Sequence, residues 1–367
     1  MEEKYIELSR KLLVNAYEEY EGENVVCSPF SFYILLGIAW SAVNGRCREE
    51  IADVLGDNAK SEDITAFMKN LQNNMTGKFK DGKLKSSNGI CVKEDLYNDI
   101  LDSFRELMKK VFDAEIFSAG SDIVEKVNAW VYRKTDGMIP KLMDCAPRDL
   151  RIILMNAISF EAKWEKKYEQ SDIEENSEFT NFDGSISEVT MLYSKENVYI
   201  EDDFYTGFVK NYLGGRYAFM ALLPKKEKEA SFPKRAFDQI DFKECYNKRI
   251  KAEVVTRIPE FEISLDMELM GFCKRLGMQS VFMPDADFSG ITTKEPLMVS
   301  SVLQKAYIKV DRAGTKAAAV SAMCVMRGCA PAFERKYVEL DRPFVYAVMD
   351  RESGLPVFCG VVNKLIR

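Results

Sequence analysis

A stretch of ten residues without a charge, residues 317–326 (AAAVSAMCVM), limits what this chain can fold into more than any other feature. Loops exposed to water are ordinarily polar, so a loop of this composition would leave apolar side chains in solvent. In a strand, successive side chains point to opposite faces, and both faces of this stretch would be apolar. The composition therefore predicts a strand that belongs in the interior of a sheet.

A buried helix is the alternative for the same residues. Three consecutive alanines favour a helix, and the stretch is long enough to form one. The residues that follow favour the strand, because residues 327–332 (RGCAPA) are typical of an irregular, cleavable turn. Residues 338–340 (VEL) are again strand-like and lead to a turn at Asp341-Arg342-Pro343.

The whole chain has the composition of one large globular domain. It has 367 residues, of which 47% are hydrophobic, and it contains no Pro/Gly/Ser-rich linker, low-complexity segment or repeat. We therefore expect a single domain over residues 1–367, acting as a monomer. The net charge of -7 argues against a nucleic-acid binder, which needs a dominant basic face.

Basic residues are concentrated in one segment, residues 77–85 (GKFKDGKLK). A solvated hairpin that turns at Asp81-Gly82 explains them, and binding of a polyanion is the alternative. The segment also matches the phosphate-binding pattern G-x-x-x-x-G-K, but Leu84 stands where that site needs Ser or Thr. We expect no nucleotide site here, and no cofactor or metal elsewhere. The four lysines are Lys78, Lys80, Lys83 and Lys85.

The chain shows no sign of a membrane or secretory segment. No stretch reaches the roughly 18 apolar residues of a membrane span. The first residues (MEEKYIELSRKLL) form an amphipathic helical pattern and not a signal peptide. Nine cysteines, with no CxxC pair, indicate free thiols in a reducing compartment. We therefore expect a cytoplasmic protein, with leaderless release or removal of an unseen leader left open.

Enzyme chemistry is restricted because the chain contains no histidine. Ser-His-Asp and Cys-His catalysis, a histidine general base and histidine-ligated zinc are all excluded. Pairs of Asp and Glu could still act as acid and base, but these residues are so numerous that no pair stands out. We do not expect an enzyme.

Helical patterns lie mostly in the first half of the chain and strand patterns in the second. Ser28-Pro29 is a helix-start signal before a long apolar segment. Residues 152–160 (IILMNAISF) predict a central strand that carries the polar residue Asn156. This order predicts an α+β fold. Other helices are expected at residues 49–55, 63–71, 98–112 and 123–133, and other strands at residues 186–193, 217–223, 253–263, 302–310, 345–349 and 357–362.

Six segments of the sequence share the order and spacing of one protein family. They are residues 24–31 (NVVCSPFS), 127–139 (VNAWVYRKTDGMI), 154–164 (LMNAISFEAKW), 286–291 (ADFSGI), 314–319 (GTKAAA) and 342–344 (RPF). Through them the sequence resembles the serpins, which are suicide protease inhibitors and their non-inhibitory relatives. The resemblance implies about eight or nine helices around three β-sheets, with an exposed reactive-centre loop at about residues 312–335.

The resemblance also assigns a task to the charge-free stretch. In serpins a target serine protease cuts the loop, and the hinge of the loop then inserts as a new strand into the large sheet while the acyl-enzyme persists. Inserted positions must not bury a charge, which costs on the order of several kcal/mol. Thr315, Ala317, Ala319 and Ser321 meet this demand on the inward face. The implied hinge is Gly314, Thr315, Lys316, Ala317, Ala318, Ala319, Val320 and Ser321.

The family's usual loop length places the cleaved bond close to Arg327. Counting fourteen residues from Gly314 gives Gly328-Cys329, and a loop one residue shorter gives Arg327-Gly328. We favour Arg327-Gly328, because an arginine after an apolar stretch attracts trypsin-like proteases. An elastase-like or cathepsin-like protease would instead prefer Val325 or Met326.

Two departures from the family pattern occur near the base of the loop. The family usually has acidic or mixed-charge residues before the hinge glycine and a lysine after the proline of the opposite strand. Here Arg312 and Glu260 occupy these places. We hypothesise that Glu260 and Arg312 form an ion pair of reversed polarity, and that together with Trp164 they latch the loop base.

A further departure concerns the buried polar cluster beneath the sheet. The family commonly combines two serines, an asparagine and a histidine there. The serine and asparagine positions are kept as Ser28, Ser31 and Asn156, and Gln304 occupies the histidine position. Glutamine both donates and accepts hydrogen bonds without titrating. We expect sheet opening to depend little on pH near neutrality.

Two classes of function are compatible with these residues. One is an inhibitory serpin that traps a serine protease covalently. The other is a non-inhibitory serpin that acts in binding, storage or as a chaperone. Non-inhibitory relatives typically have charged, bulky or proline residues in the hinge, whereas Val320 is the only slightly bulky residue in this hinge. The hinge therefore favours inhibition.

Overall fold

A computed structural model describes residues 1–56, 61–79, 82–147, 150–226, 240–294, 297–315 and 335–365. These residues form eight α-helices and sixteen strands, which confirms the expected α+β fold. The helices are α1 (Glu2–Glu19), α2 (Pro29–Ala42), α3 (Gly45–Leu55), α4 (Ser61–Met75), α5 (Asp102–Leu107), α6 (Ile123–Lys134), α7 (Phe242–Asn247) and α8 (Met270–Arg275).

The strands are distributed along the whole chain. They are β1 (Val25–Cys27), β2 (Gly77–Phe79), β3 (Gly82–Lys93), β4 (Ala114–Ala119), β5 (Ile152–Lys163), β6 (Ile173–Thr180), β7 (Ile186–Glu201), β8 (Tyr205–Asn211), β9 (Tyr217–Pro224), β10 (Ile250–Pro259), β11 (Phe261–Glu268), β12 (Val299–Val310), β13 (Gly314–Thr315), β14 (Arg335–Glu339), β15 (Phe344–Asp350) and β16 (Leu355–Val362).

A seven-stranded sheet contains the strand that the sequence predicts to be central. Its order is β11-β12-β5-β3-β2, with β4 beside β3 and β13 beside β5. The first nine residues of β5 are buried, because core side chains cover both faces of this strand. β5 and β12 run parallel, and Asn156 lies opposite Gln304.

The other strands form a nine-stranded sheet in the order β1-β16-β15-β9-β8-β7-β10-β14, with β6 beside β7. The sheet is this large because β7 is sixteen residues long and can pair with three other strands. One part of β7 pairs with β6 and β10, and its last residues pair with β8. The two smaller sheets expected from the resemblance are thus joined through this strand.

The prediction of a single strand at residues 253–263 is wrong, because the chain passes from one sheet to the other within this segment. β10 ends at Pro259 and pairs with β7, whereas β11 begins at Phe261 and pairs with β12. Glu260 is the residue between the two strands, and its N–H donates to the Thr190 carbonyl at 2.9 Å. The local pattern is strand-like throughout, but it does not show which partner each part pairs with.

Helices cover both faces of the seven-stranded sheet. α2 is capped by the Ser28 hydroxyl, which accepts from the Ser31 N–H at 3.1 Å, and it packs between β5 and β16. On the opposite face, Trp130 and Val127 of α6 pack against Met155 of β5. Inserting a strand beside β5 therefore affects two separate apolar layers.

The lysine-rich segment is a hairpin, as predicted. β2 and β3 pair antiparallel, and no helix follows in the manner of a phosphate-binding loop. The charges of two of its lysines are compensated, since Lys83 and Lys85 each donate to Asp136, at 3.0 and 2.9 Å.

The seven cysteines in the described ranges are free thiols. No described helix is long and apolar enough to cross a membrane.

Candidate functional site

The first two hinge residues already pair with the seven-stranded sheet. β13 runs antiparallel to β5, with Gly314 opposite Lys163 and Thr315 opposite Ala162. β12 pairs with β5 only up to Tyr307 opposite Ser159. Beyond that point β12 no longer pairs with β5, so the edge of β5 over residues 160–163 is open. β13 pairs with the end of this open edge. The residues 311–315 between β12 and the remaining loop are called the loop base below.

The predicted ion pair is present at the loop base. The Arg312 guanidinium donates two hydrogen bonds to the Glu260 carboxylate, both at 3.1 Å, and the Arg312 N–H donates to Glu260 Oε1 at 3.0 Å. The hydrogen bond to Glu260 raises the pKa of Arg312. Because Glu260 lies between β10 and β11, the pair connects the loop base to both sheets.

Trp164 forms the second connection to the loop base. Its indole Nε1 donates to the Asp311 carbonyl at 2.9 Å, and its backbone N–H donates to the Ala313 carbonyl at 3.4 Å. The ring is buried and stacks on Tyr212, with centroids 4.5 Å apart and planes 9° apart. The Asp311 carboxylate accepts from the Ala313 N–H at 2.8 Å and shapes the turn.

The structure divides the predicted polar cluster into two groups. Gln304 Oε1 accepts from the Ser28 N–H at 3.0 Å, and Gln304 Nε2 donates to the Ser28 carbonyl at 2.9 Å. Asn156 instead donates to Ser86 and Asn88 of β3, at 2.9 and 2.7 Å. Among the described residues, the hydrogen bonds thus connect Gln304 to Ser28 and Asn156 to β3, although Asn156 and Gln304 lie opposite each other.

Three buried polar atoms on α2 and β5 have no hydrogen-bond partner among the described residues. Asn156 Oδ1 and the Ser31 hydroxyl have no hydrogen-bond partner among the described residues. The Ser159 hydroxyl on β5 is in the same condition. Burial of an unsatisfied polar atom costs about 1–3 kcal/mol, so these atoms gain if a new strand brings donors.

The other predicted site residues lie outside the described part of the chain. These include the proposed reactive bond, Arg327-Gly328, and the hinge residues Lys316, Ala317, Ala318, Ala319, Val320 and Ser321. Sequence reasoning also missed a buried pair near the loop base, Lys210 and Glu196. The available signal was a lysine inside the apolar segment of residues 208–213 (FVKNYL).

Comparison with known proteins identifies the family. The family model "Serpin (serine protease inhibitor)" matches residues 3–365. Human neuroserpin is 25% identical over 373 residues, which covers 96% of this chain and 89% of the neuroserpin chain.

Solved structures give the same result. The native state of tengpin, a thermophilic serpin, superposes with a TM-score of 0.88 at 30% identity, covering 99% of this chain and 93% of tengpin. Its latent state gives a TM-score of 0.81. Thyroxine-binding globulin, solved in complex with thyroxine, has a TM-score of 0.84 at 22% identity and covers the whole of both chains. The chain belongs to the serpin family, which consists of serine protease inhibitors and non-inhibitory relatives and not of enzymes.

Proposed function

We propose that this protein inhibits a serine endopeptidase as a suicide substrate. The observation that carries the proposal is the antiparallel pairing of Gly314 and Thr315 with the open edge of β5. These two residues are the start of a strand, and the next residues of the chain have the composition needed to continue it. The described geometry supports a loop that extends this strand once it is cut.

The register of β13 defines where each inserted residue would lie. Each step forward along the loop moves the partner one residue back along β5, from Ala162 opposite Thr315. Lys316 would then lie opposite Glu161, and Ser321 opposite Asn156. Val325 would lie opposite Ile152, the first residue of β5. Ten inserted residues beyond Thr315 would fill β5 to its beginning.

The residue types of the loop fit these partners. Phe160 and Ile158 of β5 are buried in the main core, so small residues are required at the opposite positions 317 and 319, and both are alanine. Glu161 lies on the other face, partly exposed and 3.4 Å from Lys83. Lys316 would therefore meet a carboxylate there and would bury no unpaired charge.

Opening the sheet for this strand breaks the backbone pairing between β5 and β12. It does not have to break a side-chain hydrogen bond between Asn156 and Gln304, because both side chains bond elsewhere among the described residues. Gln304 bonds to Ser28, whereas Asn156 bonds to β3. The inserted Ser321 hydroxyl would come next to Asn156 Oδ1, which lacks a partner among the described residues. Insertion would thus satisfy a buried acceptor that the present arrangement leaves unsatisfied.

We infer that the protease cuts Arg327-Gly328, two residues beyond Val325. Its serine oxygen attacks the Arg327 carbonyl carbon, the amine of Gly328 leaves, and an ester between Arg327 and the enzyme remains. Insertion of the hinge before water hydrolyses this ester would trap the enzyme. A trypsin-like enzyme fits Arg327, and elastase-like or cathepsin-like enzymes fit Val325 or Met326.

Incubation with trypsin, elastase and a cathepsin, followed by a denaturing gel, tests the proposal. We expect trypsin to give a covalent complex of summed mass and to release a fragment that begins at Gly328. Arg327→Ala serves as the matched control, and it should lose the trypsin complex while keeping the thermal stability of the folded protein. Clean cleavage of the loop with all proteases left active would refute the inhibitory function.

A non-inhibitory role is the second candidate, and one comparison favours it. Thyroxine-binding globulin has the same fold and was solved in complex with thyroxine. The cleavage experiment separates the two candidates, because a binding protein would be cut without trapping protease. We also propose that this chain acts as a cytoplasmic monomer, which the free thiols of the described cysteines support.

A further inference from the structure

A buried ion pair joins three strands of the nine-stranded sheet close to the loop base. Lys210 Nζ of β8 lies 2.7 Å from Glu196 Oε1 of β7, and the two side chains are 2% and 9% exposed. Ser194 of β7 donates to the same carboxylate oxygen at 2.7 Å, and the Ser194 and Thr256 hydroxyls are 2.8 Å apart. Both charges therefore have partners, as a buried pair requires.

The lysine also faces two aromatic rings. Its Nζ is 5.3 Å from the centroid of the Trp164 ring and 4.4 Å from that of Tyr168. Cations near aromatic faces are attracted by the ring quadrupole, and the attraction is stronger when the cation is desolvated. Burial lowers the pKa of Lys210, and the adjacent Glu196 opposes this effect and favours the charged form.

The backbone links this pair to the end of β5. Trp164 and Tyr212 form an isolated antiparallel bridge, and their rings stack. The Glu165 N–H donates to the Asn211 carbonyl at 3.0 Å, and the Leu213 N–H donates to the Lys163 carbonyl at 2.8 Å. The strand end that carries Lys210 is thus paired directly with the segment that holds the loop base.

We propose that Lys210 and Glu196 are positioning residues for the hinge. Glu196 holds the Lys210 ammonium against Trp164, and the fixed indole in turn holds the carbonyl of Asp311. Gly314 and Thr315 are then kept at the open edge of β5, ready to extend. The effect on inhibition rests on the proposed function, whereas the effect on the position of Trp164 does not.

Hydrogen exchange of the indole N–H groups tests the positioning role directly. The chain has three tryptophans, so ¹⁵N-tryptophan labelling gives three indole signals, and Trp164→Phe assigns one of them. The double variant Lys210→Met/Glu196→Gln removes both charges at similar volume. We expect the Trp164 indole to exchange at least tenfold faster than in the unmodified protein, with Trp40 and Trp130 unchanged. Unchanged exchange, or equal acceleration of all three, would overturn the proposal.

Further variants separate positioning from general stability. Glu196→Gln alone removes the negative charge but keeps a side-chain oxygen that can accept from Lys210, so it should accelerate Trp164 exchange less than the double variant does, and it provides a readout if the double variant fails to fold. Arg133→Met/Glu115→Gln removes an ion pair 2.8 Å long between α6 and β4 and should leave Trp164 exchange unchanged. If Arg133→Met/Glu115→Gln accelerates Trp164 exchange as much, the pair at Lys210 has no special role.

The stoichiometry of inhibition provides a second readout. If the protein traps trypsin, the double variant should need at least threefold more inhibitor per protease, because a loosened hinge inserts more slowly. If no complex forms even with the unmodified protein, the proposed function fails and the exchange experiment still decides the positioning role. Accelerated Trp164 exchange with unchanged stoichiometry would contradict the link to inhibition.

Discussion

The register allows a direct test, which compares a charge at position 315 of the hinge with a charge at position 316. Thr315 lies opposite Ala162, which is 1% exposed and belongs to the main core. Residues directly opposite in paired strands share a face, so we expect position 315 of an extended hinge strand to share the core face with Ala162. The next position is expected opposite the partly exposed Glu161. Thr315→Lys therefore brings a charge to the core face, whereas Lys316→Thr removes one from the outer face.

The magnitude follows from the cost of an unpaired buried charge. Leaving such a charge without a partner costs about 3–5 kcal/mol, and each 1.36 kcal/mol on a barrier is about tenfold in rate. Insertion of the Thr315→Lys hinge should be slowed by roughly a hundredfold or more, and hydrolysis of the acyl-enzyme then wins. For Lys316→Thr no charge is buried, so insertion should stay within about threefold of the unmodified rate.

Titration of trypsin at increasing ratios of each variant measures this partition, with a denaturing gel to separate complex from cleaved inhibitor. Thr315→Lys should be cleaved as a substrate with little complex, and Lys316→Thr should trap protease as the unmodified protein does. Because β13 is only two residues long, it can leave β5 in the uncleaved Thr315→Lys variant and keep the lysine in solvent, whereas insertion has to bring the charge back to the core face; thermal melts before addition of protease should therefore agree within a few degrees. Equal trapping by Thr315→Lys, or equal loss in Lys316→Thr, would refute the inferred register.

Three other perturbations follow from the same contacts. Glu260→Lys should destabilise the protein by about 1 kcal/mol or more, because a bidentate pair is lost and like charges meet; adding Arg312→Glu should restore the melting temperature, and a double variant no better than the single one would contradict the latch. Gln304→Ala leaves the buried Ser28 N–H without its partner, whereas the Ser28 carbonyl still accepts from the Phe32 N–H at 3.1 Å, so urea unfolding should show a loss of about 1–3 kcal/mol, and no measurable loss would argue against this role. Stability should be constant between pH 6 and 8, since the chain has no histidine. Hydrogen bonds from two lysines lower the pKa of Asp136. Its contribution to the stability of the fold is therefore present above the unfolded pKa of about 4 and is lost as the pH falls further. A transition between pH 6 and 8 in thermal melts would show that another group titrates.

Much of the fold could be predicted because its central elements have strong local patterns. The apolar run of residues 152–160 predicts a buried strand, and β5 is that strand. Ser28-Pro29 predicts the start of a buried helix, and α2 begins at Pro29. The strand expected at residues 253–263 failed at Glu260, since alternation continues through a residue at which the pairing partner changes from β7 to β12.

The candidate site shows the same division between chemistry and pairing. The reversed charges at Glu260 and Arg312 predict an ion pair, and the structure contains it at hydrogen-bonding distance. The polar cluster was predicted from its residue types, but its hydrogen bonds depend on tertiary packing: Asn156 lies opposite both Asn88 and Gln304 and donates to Asn88, whereas Gln304 donates to Ser28. Lys210 received no role from the sequence, because its carboxylate partner comes from another strand.

The sequence by itself determined the chemistry of the hinge and of its proposed task. A charge-free stretch with small alternate residues follows from the requirement that an inserted strand bury no charge, and this requirement is local to each residue. Tertiary structure alone decided that Gly314 and Thr315 already pair with β5, that Glu260 lies between two sheets, and that Lys210 is buried against Trp164. The physical reason is that these contacts join residues far apart in the chain, and register and burial exist only once the strands are assembled.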